Sequence, residues 1–176
     1  MTTSATDAST AGVSPIYSLD SRWNSERPHI LVMACSDGRL QQNLDEFLAT
    51  HLNITRYDRV YAPGGPGVLT SHGIEFLRSD QFRRECDFLI RAHAIEEVIL
   101  VFHGPSADGP AEATCADYGR IYPRMTPQEI RHQQEVDAAE IVQSGFGHRT
   151  SDLRISVFRC EATAAGGIQF VRLPGR

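Results

Sequence analysis

Apolar positions fall into two patterns along this chain: short apolar-rich runs, and longer stretches where apolar residues recur every third or fourth position. The runs are 29–34, 58–62, 97–102, 154–158 and 168–172, the last following the Gly166-Gly167 turn. A short apolar run bounded by turn residues reads as a strand, buried on both faces where polar residues are nearly absent, as in 29–34 and 97–102. Leu40, Leu44, Phe47, Leu48 and Leu52 recur at helical spacing and predict an amphipathic helix. A longer helix, about Ser79 to His93, presents Phe82, Cys86, Leu89 and Ile90 on one face. Thr126-Pro127-Gln128-Glu129 is a capping box with proline at the first helical position. It opens a helix carrying Ile130, Val136, Ile141 and Val142 that stops at Gly145. Pro63-Gly64-Gly65-Pro66-Gly67 must loop. Strands alternating with helices predict a single α/β domain over 28–176, with a mostly parallel sheet of four to five strands joined by right-handed crossovers. Residues 1–27 read as a polar, flexible arm.

In open α/β sheets, ligands and chemistry collect beyond the carboxyl ends of the strands. The run 29–34 leads straight into Cys35-Ser36-Asp37-Gly38-Arg39. The run 97–102 leads into His103, with Cys115 a loop further on. Zinc takes thiolate sulfur and imidazole nitrogen in tetrahedral geometry, and a catalytic site leaves its fourth position to water. Cys35, His103 and Cys115 would supply such a Cys2His set. The metal lowers the pKa of bound water to about 7 in favourable sites. Two thiolates donate more charge than imidazoles and weaken that effect, so a group that orients the water gains importance. Asp37, kept ionised by Arg39, can accept a hydrogen bond from that water. If the pair breaks, Asp37 can reach the fourth position itself.

Composition narrows the function class. At 176 residues the chain suits one domain with a substantial core. The net charge of -5, with no face of clustered Arg, argues against nucleic acid or an anionic membrane as partner. All 17 Lys and Arg residues are Arg, which rules out lysine Schiff-base chemistry and a Walker-type lysine. No apolar run approaches the roughly 18–20 residues of a membrane span, so a soluble protein is expected. Residues 1–14 lack an early positive charge and an apolar segment, unlike a secretory signal. Four scattered cysteines then favour reduced thiols and a cytoplasmic setting.

Cys35-x-Asp37-x-Arg39 after the first strand, then a strand ending in His103 with Cys115 downstream, resembles the β-class carbonic anhydrases, and most closely their short carbonic-anhydrase-like members. Tyr57-Asp58-Arg59-Val60 leading to Gly64-Gly65, Ile95 through His103, Ala116-Asp117-Tyr118-Gly119 and Thr126-Pro127-Gln128-Glu129 extend the likeness over roughly residues 28 to 160. The resemblance implies that Cys35, His103 and Cys115 bind zinc and that Asp37 and Arg39 form the catalytic dyad. It implies reversible hydration of carbon dioxide by zinc-bound hydroxide, or hydrolysis of carbonyl sulfide or carbon disulfide. It also implies a homodimer or higher assembly. Gly64 and Gly65 would form a backbone wall of the substrate pocket, or only a tight turn.

The chain departs from the family at one place. The family spaces its second pair of ligands His-x-x-Cys, whereas residues 104 to 114 separate His103 from Cys115 here. In one register an insertion pushes Cys115-Ala116-Asp117-Tyr118-Gly119 downstream. In the other, Ala107-Asp108-Gly109 takes the ligand position and the cysteine is absent. Loop-closure entropy rises only slowly with length, so the long spacing does not forbid chelation. Cys160 is the reserve ligand, and Cys86, on an apolar helix face, reads as core. His51, His72, His93, His132 and His148 have no partner spacing. A catalytically inactive relative with a structural or degraded zinc site is the alternative to the enzyme. Phosphatase- or rhodanese-like thiol chemistry at Cys35 is disfavoured, because those loops need Cys and Arg further apart.

Overall fold

In the computed structural model, which describes residues 15–70, 75–147 and 152–174, the apolar runs assemble into one sheet. Its strands are β1 (Ile30–Cys35), β2 (Asp58–Ala62), β3 (Glu97–Pro105), β4 (Arg154–Ala162) and β5 (Ile168–Arg172). Their order is β2-β1-β3-β4-β5, parallel throughout except for β5, which runs antiparallel to β4 at the edge. This is the mostly parallel α/β architecture that the alternation of runs predicts.

Among the described residues, four α-helices connect the strands: α1 (Gln41–Glu46), α2 (Phe76–Ala92), α3 (Ala116–Ile121) and α4 (Pro127–Ser144). A 3-10 turn, Gly38–Leu40, leads into α1, and a π-helical turn, Phe47–His51, extends it. The capping box at α4 forms as its sequence predicts: the Thr126 hydroxyl accepts from the Glu129 amide, and the Glu129 carboxylate accepts from the Thr126 amide.

β1 is apolar throughout because helices cover both of its faces. Leu31 and Met33 pack with Cys86 and Ile90 of α2 and with Ile130, Ala138 and Ile141 of α4. Val32 and Ala34 pack on the opposite side with Leu44, Phe47 and Leu48. The chain steps from β1 outward to β2, then returns across β1 to β3. That reversal places a crevice at the carboxyl ends of β1 and β3, where open α/β sheets bind ligands.

Several elements differ from expectation. β3 continues to Pro105, so His103 lies within the strand rather than just beyond it. β4 continues to Ala162 and takes in Arg159, Cys160 and Glu161. Arg159 and Glu161 are buried, and their opposite charges compensate each other. α2 begins at Phe76, before the predicted start near Ser79. Of the apolar residues noted on α4, Ile130 and Ile141 are buried and Val136 is exposed. Of the predicted arm, residues 1–14 lie outside the described residues, and 15–27 run exposed without regular structure.

Candidate metal centre

Cys35 ends β1, and on neighbouring β3 His103 lies two positions past Val101, the register partner of Ala34. Cys115 caps the amino end of α3. The two sulfurs and a ring nitrogen of His103 lie within 4.8 Å of one another. Cys115 thus meets the other two despite the long spacing.

Bonds to its backbone groups explain how that segment is kept in place. The Ser106 amide donates to the Ala162 carbonyl (2.9 Å), and the Gly109 amide turns back to the Ser106 carbonyl (3.1 Å). Gln128 Nε2 donates to the Ala107 carbonyl (2.6 Å). A 3-10 turn at Ala111–Ala113 then delivers the chain to Cys115.

α3 is held from two sides. The Tyr118 hydroxyl donates to the buried Asp137 carboxylate, to which Gln133 Nε2 also donates (2.8 Å). Asp117 accepts from Arg78 (2.9 Å) and from Arg120 Nε (3.0 Å). Asp117 and Tyr118 belong to the motif noted in the sequence, but Arg78, Arg120 and Asp137 do not. Arg120 lies one turn after Asp117 on α3, whereas Arg78 and Asp137 are distant in sequence and only the fold brings them there.

Asp37 and Arg39 form a tightly engaged pair. Arg39 Nε donates to both carboxylate oxygens (3.0 and 3.1 Å), Nη2 donates to Oδ2 (2.6 Å), and the Arg39 amide donates to Oδ1 (3.0 Å). These bonds hold the Asp37 pKa at about 2, below the ordinary 3.8. Both carboxylate oxygens are engaged by the guanidinium.

The two thiols cannot both ionise cheaply. The hydrogen bond from Cys115, aided by nearby His103, holds Cys35 below its ordinary range. The same bond, with burial, pushes Cys115 up. Cys86 and Cys160 are each pushed up to about 12, chiefly by burial. Cys160 is the register partner of His103 but packs with Val32, Ala34, Ile99 and Val101, outside the three-atom group.

The donor set fits zinc. Tetrahedral Zn–S and Zn–N bonds of about 2.3 and 2.0–2.1 Å put ligand atoms roughly 3.5–3.8 Å apart. Donors already within 4.8 Å reach that spacing by small side-chain movements. Among the described residues, His103 Nε2 is buried with no hydrogen-bond partner, as is the hydroxyl of Thr114 beside Cys115. A buried polar atom without a partner costs about 1–3 kcal/mol, which a ligand at His103 would offset.

Gly64 and Gly65 are buried beside this group, both at positive φ (+87° and +57°). A Cβ on Gly64 would lie 2.6 Å from Asp117 Oδ2. The turn reading therefore has a packing reason of its own. Among the described residues, the other histidines stand apart. His93 bridges Asp58 (2.6 Å) and Arg27 (2.8 Å), His132 lies by Glu135 (3.6 Å), and His51 stacks on Phe47. His72 and His148 lie outside the described residues.

No family model matches the chain, and no curated protein matches it. Similar solved structures include a β-carbonic anhydrase of the protozoan Trichomonas vaginalis, 12% identical over 87% of either chain with a TM-score of 0.46. A carbonic anhydrase of Streptococcus mutans is 15% identical over 85% of this chain and 83% of that one, with a TM-score of 0.47. A carbon disulfide hydrolase in its apo form is 14% identical over 82% of this chain and 79% of that one, with a TM-score of 0.45.

Proposed function

We propose that this chain is a zinc-dependent lyase of the carbonic-anhydrase type, with zinc held by Cys35, His103 and Cys115 and with Asp37 and Arg39 as its catalytic pair. One observation carries this reading: two thiols and an imidazole meet at the β1–β3 reversal, with His103 Nε2 left without a partner. Zinc bound there supplies a Lewis acid that favours deprotonation of water near neutral pH.

Asp37, ionised at neutral pH, accepts a hydrogen bond from the nucleophile and orients it. Arg39 keeps both Asp37 oxygens engaged and so keeps the carboxylate from becoming a ligand. Gly64 and Gly65 set bare backbone against Asp117 and Cys35, and we take that backbone as the wall of the substrate approach. At Gly38 a Cβ would meet nothing within 4 Å, so the approach on that side is open. The substrate is a small linear electrophile: carbon dioxide in reversible hydration, or carbonyl sulfide or carbon disulfide in hydrolysis. The working unit is a homodimer or higher homo-oligomer.

Zinc content and stopped-flow turnover on the three substrates test the proposal. The expected result is about one zinc per chain and zinc-dependent turnover on at least one substrate. Protein that stays zinc-free after growth with added zinc would defeat it. Full zinc without turnover would favour a non-catalytic zinc module, the reading that the long His103–Cys115 segment also favours.

A further inference from the structure

The segment between His103 and Cys115 is pinned to three separate elements. Its amide at Ser106 is held by Ala162 at the end of β4 (2.9 Å), and its carbonyl at Ala107 by Gln128 in the first turn of α4 (2.6 Å). Its carbonyl at Glu112 accepts from Arg39 Nη1 (3.2 Å). Between the pins, the Ser106 hydroxyl donates to Asp108 (2.8 Å), and Gly109 packs so closely that a Cβ would lie 2.1 Å from the Ala162 oxygen.

The third pin touches the catalytic pair. A guanidinium presents its donors in one rigid plane. Here the Nε and Nη2 edge chelates Asp37, while Nη1 reaches across to Glu112. The Arg39 side chain is 61% exposed, so held by one edge alone its plane would be free to pivot. A second anchor fixes that plane.

We propose that segment 104–114 is a positioning element for the pair: the Glu112 carbonyl, delivered by the anchors at Ala162 and Gln128, orients Arg39 and through it the Asp37 carboxylate. The inference rests on the reading of Asp37 and Arg39 as the catalytic pair. It gives the long ligand spacing a use, since one segment sets both where Cys115 stands and how Arg39 lies. Ser106, Gly109 and Gln128 act through it as positioning residues, outside the group of three donors.

Amide hydrogen exchange in the metal-free protein tests this without zinc or turnover. The Arg39 amide donates to Asp37 Oδ1 (3.0 Å), so its exchange reports the seating of the carboxylate. Gln128→Ala removes one pin at an exposed position, where truncation should spare the fold. Gly109→Ala pushes the segment off Ala162. Gly119→Ala, whose Cβ would meet nothing within 4 Å, is the control.

The Arg39 amide should exchange about fivefold faster in both test variants, the factor expected for one hydrogen bond, and at the wild-type rate in the control. In zinc-loaded protein kcat should fall with KM unchanged. Faster exchange over 104–114 with an unaltered Arg39 amide would overturn the proposal, and so would unaltered exchange in both segments. Zinc uptake by the wild type, measured separately, tests the metal reading, so either can fail without the other.

Discussion

The backbone of Gly65 runs so close to Cys35 that a Cβ on the glycine would lie 2.8 Å from the Cys35 nitrogen and 3.3 Å from the Val101 carbonyl oxygen. The breaker cluster is therefore laid across the carboxyl ends of β1 and β3, against the strands that carry Cys35 and His103. Gly65→Ala meets a backbone clash and a positive φ (+57°) together. It should cost about 2 kcal/mol or more in urea denaturation. Gly38→Ala, into open space, should stay within about 0.5 kcal/mol. Equal stabilities for the two variants would contradict this account of the turn.

The four cysteines should separate cleanly in zinc content. Cys35→Ser and Cys115→Ser each remove one of the three convergent donors and should lose most bound zinc after dialysis against a weak chelator. Cys86→Ser and Cys160→Ser alter thiols buried in the two cores and should keep zinc. Loss of zinc in Cys160→Ser with retention in Cys115→Ser would restore the reserve ligand and reverse the choice of register.

What the sequence made legible follows from how each element is stabilised. β1 and β3 are buried by apolar packing, so hydropathy finds them, and their adjacency explains why Cys35 and His103 point to one crevice. The far half of β4 is hidden because Arg159 and Glu161 are buried as an ion pair (2.8 Å), with Arg131 on Glu161 (2.9 Å) and Glu135 on Arg159 (3.2 Å). Charged residues compensated in three dimensions look like solvent-facing ones in one dimension. The segment that brings Cys115 to Cys35 is held by a backbone bond at Ser106 and by the distant Gln128 side chain on the Ala107 carbonyl, and neither leaves a pattern near Cys115 to read. α3 is a six-residue helix, too short to show a period.

Asp37 should titrate far below neutrality. Its hydrogen bonds from Arg39 hold its pKa at about 2, against the ordinary 3.8. A depressed folded-state pKa means the pair stabilises the fold above about pH 4, and that contribution is lost as the pH falls through 2. With the Arg39 side chain 61% exposed, solvent screening keeps the stability at stake small. Activity lost between pH 7 and 5 would therefore not come from Asp37. Arg39→Gln should move the carboxyl midpoint back up toward 3.8, followed by carbon NMR of the Asp37 side chain. An unmoved midpoint would mean that another group holds the carboxylate.

If the chain works as the proposed homo-oligomer, the segment before β1 offers a contact. Ile16, Tyr17, Leu19 and Trp23 are all exposed, Trp23 at 90%, in a stretch without regular structure. Phe76, Leu77 and Phe88 stand exposed on α2. Burying one large apolar side chain returns roughly 1.5–3 kcal/mol, so two such surfaces favour a partner that covers both. A second copy presents the same pair of surfaces and can satisfy them reciprocally about a two-fold axis. Light scattering should then give at least twice the 19.5 kDa of one chain. The one tryptophan, Trp23, should show blue-shifted emission that moves red on dilution. Changing Leu19 and Trp23 together to Ser should weaken assembly at least tenfold, since the lost burial exceeds the roughly 1.4 kcal/mol that a factor of ten requires. A monomer with water-exposed tryptophan emission at high protein concentration would exclude this surface as the contact between copies.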